Sequence, residues 1–546
     1  MERVLFALPE LPPLRPDAAQ DGARYTTWVR EREAERLRIP PRAHVDLALI
    51  MLVNGDAHEA IRRTVSRLRD QTSSRWSLAV VVDWSRVSEI QAIMREHLPR
   101  KLLRRTAVIG APAGTTVAGL LDLALSDRAG LPVATIFPGD VWAPDAVALL
   151  GAALTPETIA YADEDVLTDS GTHEAPRLKP DWSPEFQRSS GYIGRPLALG
   201  ASVAASVFGL DANDLESIER ACANVAGAAA RRVHHVSEVL CHRSSTPSSP
   251  RTFTAKSDIA AGTSVSIVVP FRDQPRFLRS CVDSVRATSD ELSVEFVLVD
   301  NGTVDPETCT LLERLAEDES VTIVRDDRPF NWAQLSNAGA QAARGSVLLF
   351  LNNDIEARRP GWLSALCAHA LRPDVGAVGA RLLYPDGRLQ HCGVVVGLGG
   401  AAGHPLVGLY GEDAGYLSMA VATRECSAVT GACLATRRVV FDELNGFDES
   451  LGVDLNDIDL CLRAGACGYR TLYEPSAELV HYESPSRGTA GGVGDLVRFI
   501  ERWKGYIVQG DPYLNPHLTR ADPSCGLAGM HERDAWNQWY STIVAW

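Results

Sequence analysis

The sequence predicts an α/β protein in which one mostly parallel sheet domain occurs twice. Three observations carry this. Short apolar runs of the kind buried in parallel sheets, such as LALIML and VSIVV, alternate with amphipathic helical stretches. Two blocks of the chain repeat one another, each reading as strand, loop, helix and a second strand ending in aspartate. Those aspartates, Asp83 and Asp300, lie 217 positions apart. A later pair of matching segments ends in Asp140 and Asp354, 214 apart, and two independent matches at nearly one offset mark a duplication. Finally, no GxGxxG follows a strand and no GxxxxGK[ST] occurs, so dinucleotide oxidoreductases and P-loop enzymes lose most of their support.

Taken in order, residues 1–44 read as an extension. Its Trp28–Arg38 segment suits a charged helix stopped by Pro40 and Pro41. The first domain spans 45–243. Its acidic run Asp163, Glu164 and Asp165 reads as a polar loop, with metal binding the second reading, and VHHVSEVLCHR closes it. Residues 244–263, rich in Ser, Thr and Pro, read as a linker. The second domain spans 264–510 and a tail covers 511–546. Strand-end acids in such sheets project from one edge, where ligands bind, so Asp300 and Asp354 belong to one site.

Composition narrows the function. Apolar residues make up 45% and charged residues 23%, an ordinary globular balance. The 54 Lys+Arg against 69 Asp+Glu give a net charge of −15, which argues against nucleic acid or an anionic membrane as the main partner. The eleven cysteines form no CxxC pair and read as small buried hydrophobes in a reducing compartment. The proline-broken start is unlike a signal peptide, and no run of ~18 apolar residues suggests a membrane span. The expectation is a cytoplasmic protein, with peripheral contact at the inner face of the cell membrane left open.

Four segments of the second domain carry chemistry. VSIVVPFRD ends in Pro270, Phe271, Arg272 and Asp273. VLVDNGT holds Asp300, and LLFLNND holds Asn352, Asn353 and Asp354. The segment from DLNDIDLCLR to HYESPSRG holds Asn456, Asp457, Asp459, His481, Ser484 and Arg487. In this order they resemble an inverting family 2 glycosyltransferase with the GT-A fold. The subgroup resembled is the tandem-domain, rhamnosyltransferase-like one that builds bacterial surface polysaccharide. The resemblance covers about 264–520, and the first domain resembles a second, degenerate GT-A copy.

The resemblance implies hexosyl transfer from a UDP-, dTDP- or GDP-linked sugar to a glycan or lipid-linked glycan. It implies Asp457 as general base, and Asp354 with His481 as ligands of a divalent cation, Mn²⁺ or Mg²⁺. Pro270, Phe271, Arg272, Asp273, Asp300, Asn337, Asn353 and Arg487 would bind the nucleotide sugar. Thr430, Gly431 and Ala432, with Trp332 and His404, would face donor sugar and acceptor. Two departures stand out: NND replaces a DXD motif, and Asn456 precedes the base where the family has an acid.

Each residue also has a plainer reading. DNG and NND can be strand-end turns, and Asp459 can pair with Arg463 one helical turn on. The glycine-rich stretch 397–403 reads as a lid or acceptor wall. Two other functions stay in view: a non-catalytic glycan-binding scaffold, and a sugar-phosphate nucleotidylyltransferase. The second usually needs a glycine-rich basic loop after the first strand, and PFRDQPRF has no glycine.

Overall fold

The computed structural model describes residues 18–39, 44–55, 57–211, 214–246, 263–289, 292–483, 493–529 and 531–544. The chain divides into two compact units, Pro13–Arg251 and a second formed mainly by Thr252–Trp546.

The first unit holds β1 (Leu47–Leu52), β2 (Trp76–Asp83), β3 (Thr106–Ala111), β4 (Val133–Ile136), β5 (Val141–Trp142), β6 (Thr158–Leu167), β7 (His173–Arg177), β8 (Leu197–Leu199) and β9 (Arg232–Arg243). The second holds β10 (Ser264–Phe271), β11 (Ser293–Asp300), β12 (Val321–Arg325), β13 (Val347–Leu351), β14 (Ile355–Ala357), β15 (Val375–Leu383), β16 (Leu389–His391), β17 (Val395–Val396), β18 (Ala402–Gly403), β19 (Arg424–Glu425), β20 (Cys433–Arg437) and β21 (Arg470–His481). The sheets run β3-β2-β1-β4-β8-β6-β9-β5 and β12-β11-β10-β13-β20-β15-β21-β14. Position by position this is one order, so the duplication inferred from two aspartate pairs extends across the whole sheet. Strands β1 to β4 and β10 to β13 pair in parallel, whereas β8 and β20 enter antiparallel and make the sheets mixed.

The helices that matter below are α1 (Ala18–Arg38), α2 (His58–Leu68), α3 (Pro275–Thr288), α4 (Trp332–Ala342), α5 (Asn456–Ala466) and α6 (Val493–Gln509). Helical spacing explains their docking. Helix α2 buries Ile61, Thr64, Val65 and Leu68, and α3 buries Leu278, Cys281, Val282 and Val285, each a single stripe laid on a sheet. Against them lie unbroken apolar strands: every residue of β1 and β13 is buried. A buried Leu, Ile or Val contributes about 1.5–3 kcal/mol, so these faces hold the sheets in place. Of the eleven cysteines, Cys309 and Cys467 are exposed and the other nine buried.

The expected helix at Trp28–Arg38 is the second half of the longer α1. It is strapped to its own unit: Thr26 and His173 exchange two hydrogen bonds, and Arg36 holds Asp145 at 2.8 Å.

Candidate active site

A cavity of about 440 Å³ opens in the second unit, lined by Trp332, Asn352, His404, Thr430, Gly431, Ala432 and Asp457 among others. It lies where the start of α4, the residue after β13, the 397–404 loop, the turn before β20 and the start of α5 converge.

Asp457 is the second residue of α5, which starts directly after Leu455 turns the chain with a φ of 66°. Its Oδ2 accepts the Gly431 N–H at 2.6 Å and its Oδ1 the Ile458 N–H at 2.8 Å, which orients the carboxylate. Gly431 is needed for that approach. A Cβ there would fall 2.8 Å from the Trp332 ring and 3.3 Å from the Asp457 Cβ. Asp459 is fully buried on the far side of the helix and binds Arg463 at 2.7 Å, as its spacing suggested, together with Arg502 and the Trp503 indole.

The second group is set by sheet register. Strand β14 pairs with β21 so that Ile355 lies opposite His481. This places Asp354 Oδ1 3.2 Å from His481 Nε2, with both residues buried. Gln390, unnoticed in the sequence, decides the chemistry. Its amide nitrogen donates to Glu483, so its Oε1 faces His481 Nδ1 at 2.7 Å and accepts that proton. His481 Nε2 therefore turns a lone pair toward a carboxylate, with the Asn352 amide 3.3 Å away. The Asn352 Nδ2–H can donate to that lone pair, a place that a shared cation could take. A carboxylate oxygen and an imidazole nitrogen are both groups that could ligate a divalent cation. Asn352 also lines the cavity, so this pair sits against the wall that Asp457 faces.

His404 is the third cavity group. The Gly393 N–H donates to His391 Nε2, so His391 carries its proton on Nδ1 and gives it to His404 Nδ1 at 2.8 Å. His404 is thereby fixed with its proton on Nε2. Burial keeps both rings neutral, holding His391 well below the usual imidazole value and His404 down to about 4. The glycine-rich stretch is a wall. The Gly399 N–H donates to the Arg520 carbonyl and the Leu406 N–H to the Pro523 carbonyl, so the C-terminal tail holds it.

The remaining expected residues lie at other places. Phe271 pairs with Asp300 across β10 and β11, and both are buried. Asp300 accepts the Thr303 N–H at 2.8 Å and meets the Arg325 guanidinium. Asp273 Oδ1 accepts the N–H groups of Val304 and Asp305, while Arg272 is largely exposed beside it. Pro270 is buried within β10. Asn337 bonds both backbone groups of Phe447 and so braces the 446–449 turn. Asn353 is half-buried. Arg487 and Ser484 lie outside the described residues.

The first unit holds the counterpart of the Asp354–His481 pair, because β5 and β9 place Val141 opposite His242. There Asp140 is not beside an open imidazole. The Arg195 guanidinium takes it at 3.0 Å, lies 3.6 Å over the Phe137 ring and binds Glu219 at 2.6 Å. The acidic run expected as a polar loop is strand β6, buried throughout its 163–165 stretch. Burial alone would raise Glu164, but Lys179, Arg243, Arg177 and Arg195 around it hold it down to about 2. Asp165 receives His242 Nδ1 at 2.6 Å and His173 Nδ1 at 2.9 Å. Against the burial that opposes it, these rings hold Asp165 at about 2. With those two histidines it is the one group of three potential metal ligands among the described residues.

Residues 266–443 match Glycosyl transferase family 2. The chain is 34% identical to the O-antigen biosynthesis protein RfbC of Myxococcus xanthus, over 94% of this chain and 44% of that protein. It is 26% identical to an N-acetylglucosaminyl-diphospho-decaprenol L-rhamnosyltransferase of Mycobacterium tuberculosis, over 41% of this chain and 76% of that one. Among solved structures, a Pyrobaculum calidifontis mannosyltransferase in complex with GDP-Man and Mn²⁺ aligns with 52% of this chain and 75% of its own, at 17% identity and a TM-score of 0.35. The chain spans about half the length of the curated relatives it matches across both units.

Proposed function

The second unit carries a glycosyl transferase family 2 domain, and on that footing we propose that the protein transfers a sugar from a nucleoside diphosphate donor to a hydroxyl of a growing surface glycan, with inversion. The observation that supports this most is the place of Asp457 on the wall of a cavity whose lining includes Asn352, the neighbour of the buried Asp354–His481 pair.

Asp457 would take the proton of the acceptor hydroxyl as its oxygen attacks the anomeric carbon. A carbon–oxygen bond forms on one face while the bond to the diphosphate breaks on the other, and the diphosphate leaves with the electron pair. A divalent cation held by Asp354 and His481 would supply electrostatic stabilisation to that leaving group. The N–H donors of Gly431 and Ile458 keep the base aimed, and Trp332 beside Gly431 forms an apolar wall for a sugar face. His404 offers a neutral ring on the cavity wall, held by His391 and the Gly393 backbone, that does not compete for the acceptor's proton. The strand-end groups Arg272, Asp273 and Asp300, with Asn353 and Arg487, are proposed for the nucleotide half. Donor binding at Asp300 would require the half-exposed Arg325 to swing aside.

The first unit is proposed as a non-catalytic copy, since Arg195 fills the ground beside Asp140. The relatives' surface-glycan names make a glycan or lipid-linked acceptor the reading of choice. Among the described residues no helix is long and apolar enough to cross a membrane, and contact with one is proposed as peripheral, on the cytoplasmic side.

The test is a donor screen with Mn²⁺ and UDP-, dTDP- and GDP-sugars, detecting released nucleoside diphosphate. Metal-dependent release from one donor, lost in Asp457→Asn and Asp354→Ala, is expected. Absence of both release and metal-dependent nucleotide binding would leave a scaffold.

A further inference from the structure

The first unit holds a group of two imidazoles and a carboxylate that the transfer chemistry does not use. Asp165 in β6, His173 in β7 and His242 in β9 are buried, with 1%, 8% and 3% of their surface exposed. His242 Nδ1 stands 2.6 Å from Asp165 Oδ1, and His173 Nδ1 stands 2.9 Å from Oδ2. The two rings meet edge to face, their centroids 4.7 Å apart. One nitrogen of each ring and one carboxylate oxygen lie within 4.8 Å of one another. Asp140 has no part in this group, because the Arg195 guanidinium holds it.

Helix α1 covers the group. The Tyr25 hydroxyl donates to Asp165 Oδ2 at 3.1 Å, and Thr26 exchanges two hydrogen bonds with the His173 backbone. Glu33 and Arg36, further along α1, lie near enough to His242 to act on its charge. Arg36 is already engaged, with Asp145 at 2.8 Å and Glu238 at 2.9 Å. With both rings neutral, Asp165 and Glu33 therefore give the group two negative charges, and a buried charge needs a partner. A divalent cation cancels them. The rival partner is a proton on one ring, and the two differ in whether the protein carries metal.

The donor set suits zinc. Two imidazole nitrogens and a carboxylate oxygen are ordinary zinc ligands, whereas Mg²⁺ and Ca²⁺ ask for more oxygens than this group offers. A tetrahedral zinc sets its ligands about 3.3 Å apart, so the rings would draw back from Asp165 by about 0.4–0.7 Å. Each would then carry its proton on Nε2, and the Tyr25 oxygen or a water would fill the fourth place.

We infer that Asp165, His173 and His242 bind one Zn²⁺ ion, which fastens β6, β7 and β9 together beneath α1. Its role is structural, and the inference does not depend on the transferase reading.

The experiment uses the full chain carrying Asp354→Ala and no histidine tag, so that the Asp354–His481 pair does not compete. The protein is stripped with a chelator, dialysed, and titrated with Zn²⁺ against a chromogenic chelator, then with Co²⁺ followed by visible absorption. The expected result is one zinc per chain, bound more tightly than micromolar, and the intense visible bands of tetrahedral Co²⁺. Zinc should also slow amide exchange across α1 at least tenfold. Adding His173→Gln or His242→Gln should weaken zinc binding at least tenfold and abolish that slowing. The glutamine at 173 can still donate to Asp165, so this variant stays informative should His242→Gln fail to fold. Absence of stoichiometric zinc would overturn the inference and leave a proton as the partner of Asp165. Zinc bound equally well by His173→Gln would also overturn it, as an adventitious ion only. Neither result touches turnover dependent on Asp457, so the two readings fail separately.

Discussion

Asp457 has the sharpest consequence of any single residue. Asparagine keeps its shape and one acceptor oxygen but cannot take a proton, so Asp457→Asn should lower kcat by about 10²–10⁴ with KM little changed. Gly431 tests the same geometry from outside. Gly431→Ala puts a methyl group 2.8 Å from Trp332 and 3.3 Å from the Asp457 Cβ. Turnover should fall about tenfold or more while the melting temperature changes little, since the ring can shift at modest cost. His404 governs pH. Its imidazole is held down to about 4 by burial, so between pH 6.5 and 4 the unfolded chain binds a proton that the folded chain refuses. Stability is therefore complete above about pH 6.5 and falls on acidification, by about 2 kcal/mol at pH 5 from this group. Urea unfolding at pH 7 and pH 5 should show a smaller loss for His404→Gln than for the parent.

Among the elements, the loop 397–406 and the tail after α6 act as one piece. The tail's carbonyls at Arg520 and Pro523 receive loop N–H groups, and buried Asp511 accepts the Val396 N–H at 2.7 Å. A chain ending at Gln509 should lose amide-exchange protection at Val396, Gly399 and Leu406 and bind acceptor poorly, while donor hydrolysis persists. The wall was half legible in the sequence. Glycine spacing marked 397–403 as special, but nothing local says that a segment over a hundred residues later pins it. Strands and their terminal acids were easier, because apolar runs ending in Asp are local signals. The partners of His404 and His481 were not, since His391 and Gln390, neighbours in β16, meet those rings only in the folded chain.

Across the molecule, two sheets of one strand order have taken opposite routes at the same two register positions. The second unit keeps Asp354 facing an imidazole and covers Asp300 with an arginine. The first covers Asp140 with an arginine, and its Asp83, opposite Ala111, binds the Ser85 N–H and hydroxyl instead. The sequence showed the duplication through aspartates at nearly one offset. It did not show that Asp163, Glu164 and Asp165 would be buried, because their charges are balanced by Arg177, Lys179 and Arg243 from other segments and by His173, His235 and His242. Removing one partner from such a cluster leaves a buried charge uncompensated. Arg195→Ala should destabilise the first unit by about 3–5 kcal/mol, read by chemical unfolding. The same arithmetic bears on history. A lineage that once exchanged a loosely held ion for a tethered guanidinium could not easily go back. The single step that clears the seat takes the guanidinium from Asp140 and leaves Glu219 with Arg243 alone, and the intermediate is a less stable protein. Arg195 thus acts as a ratchet, and the two halves of this chain could diverge further but not readily become alike again.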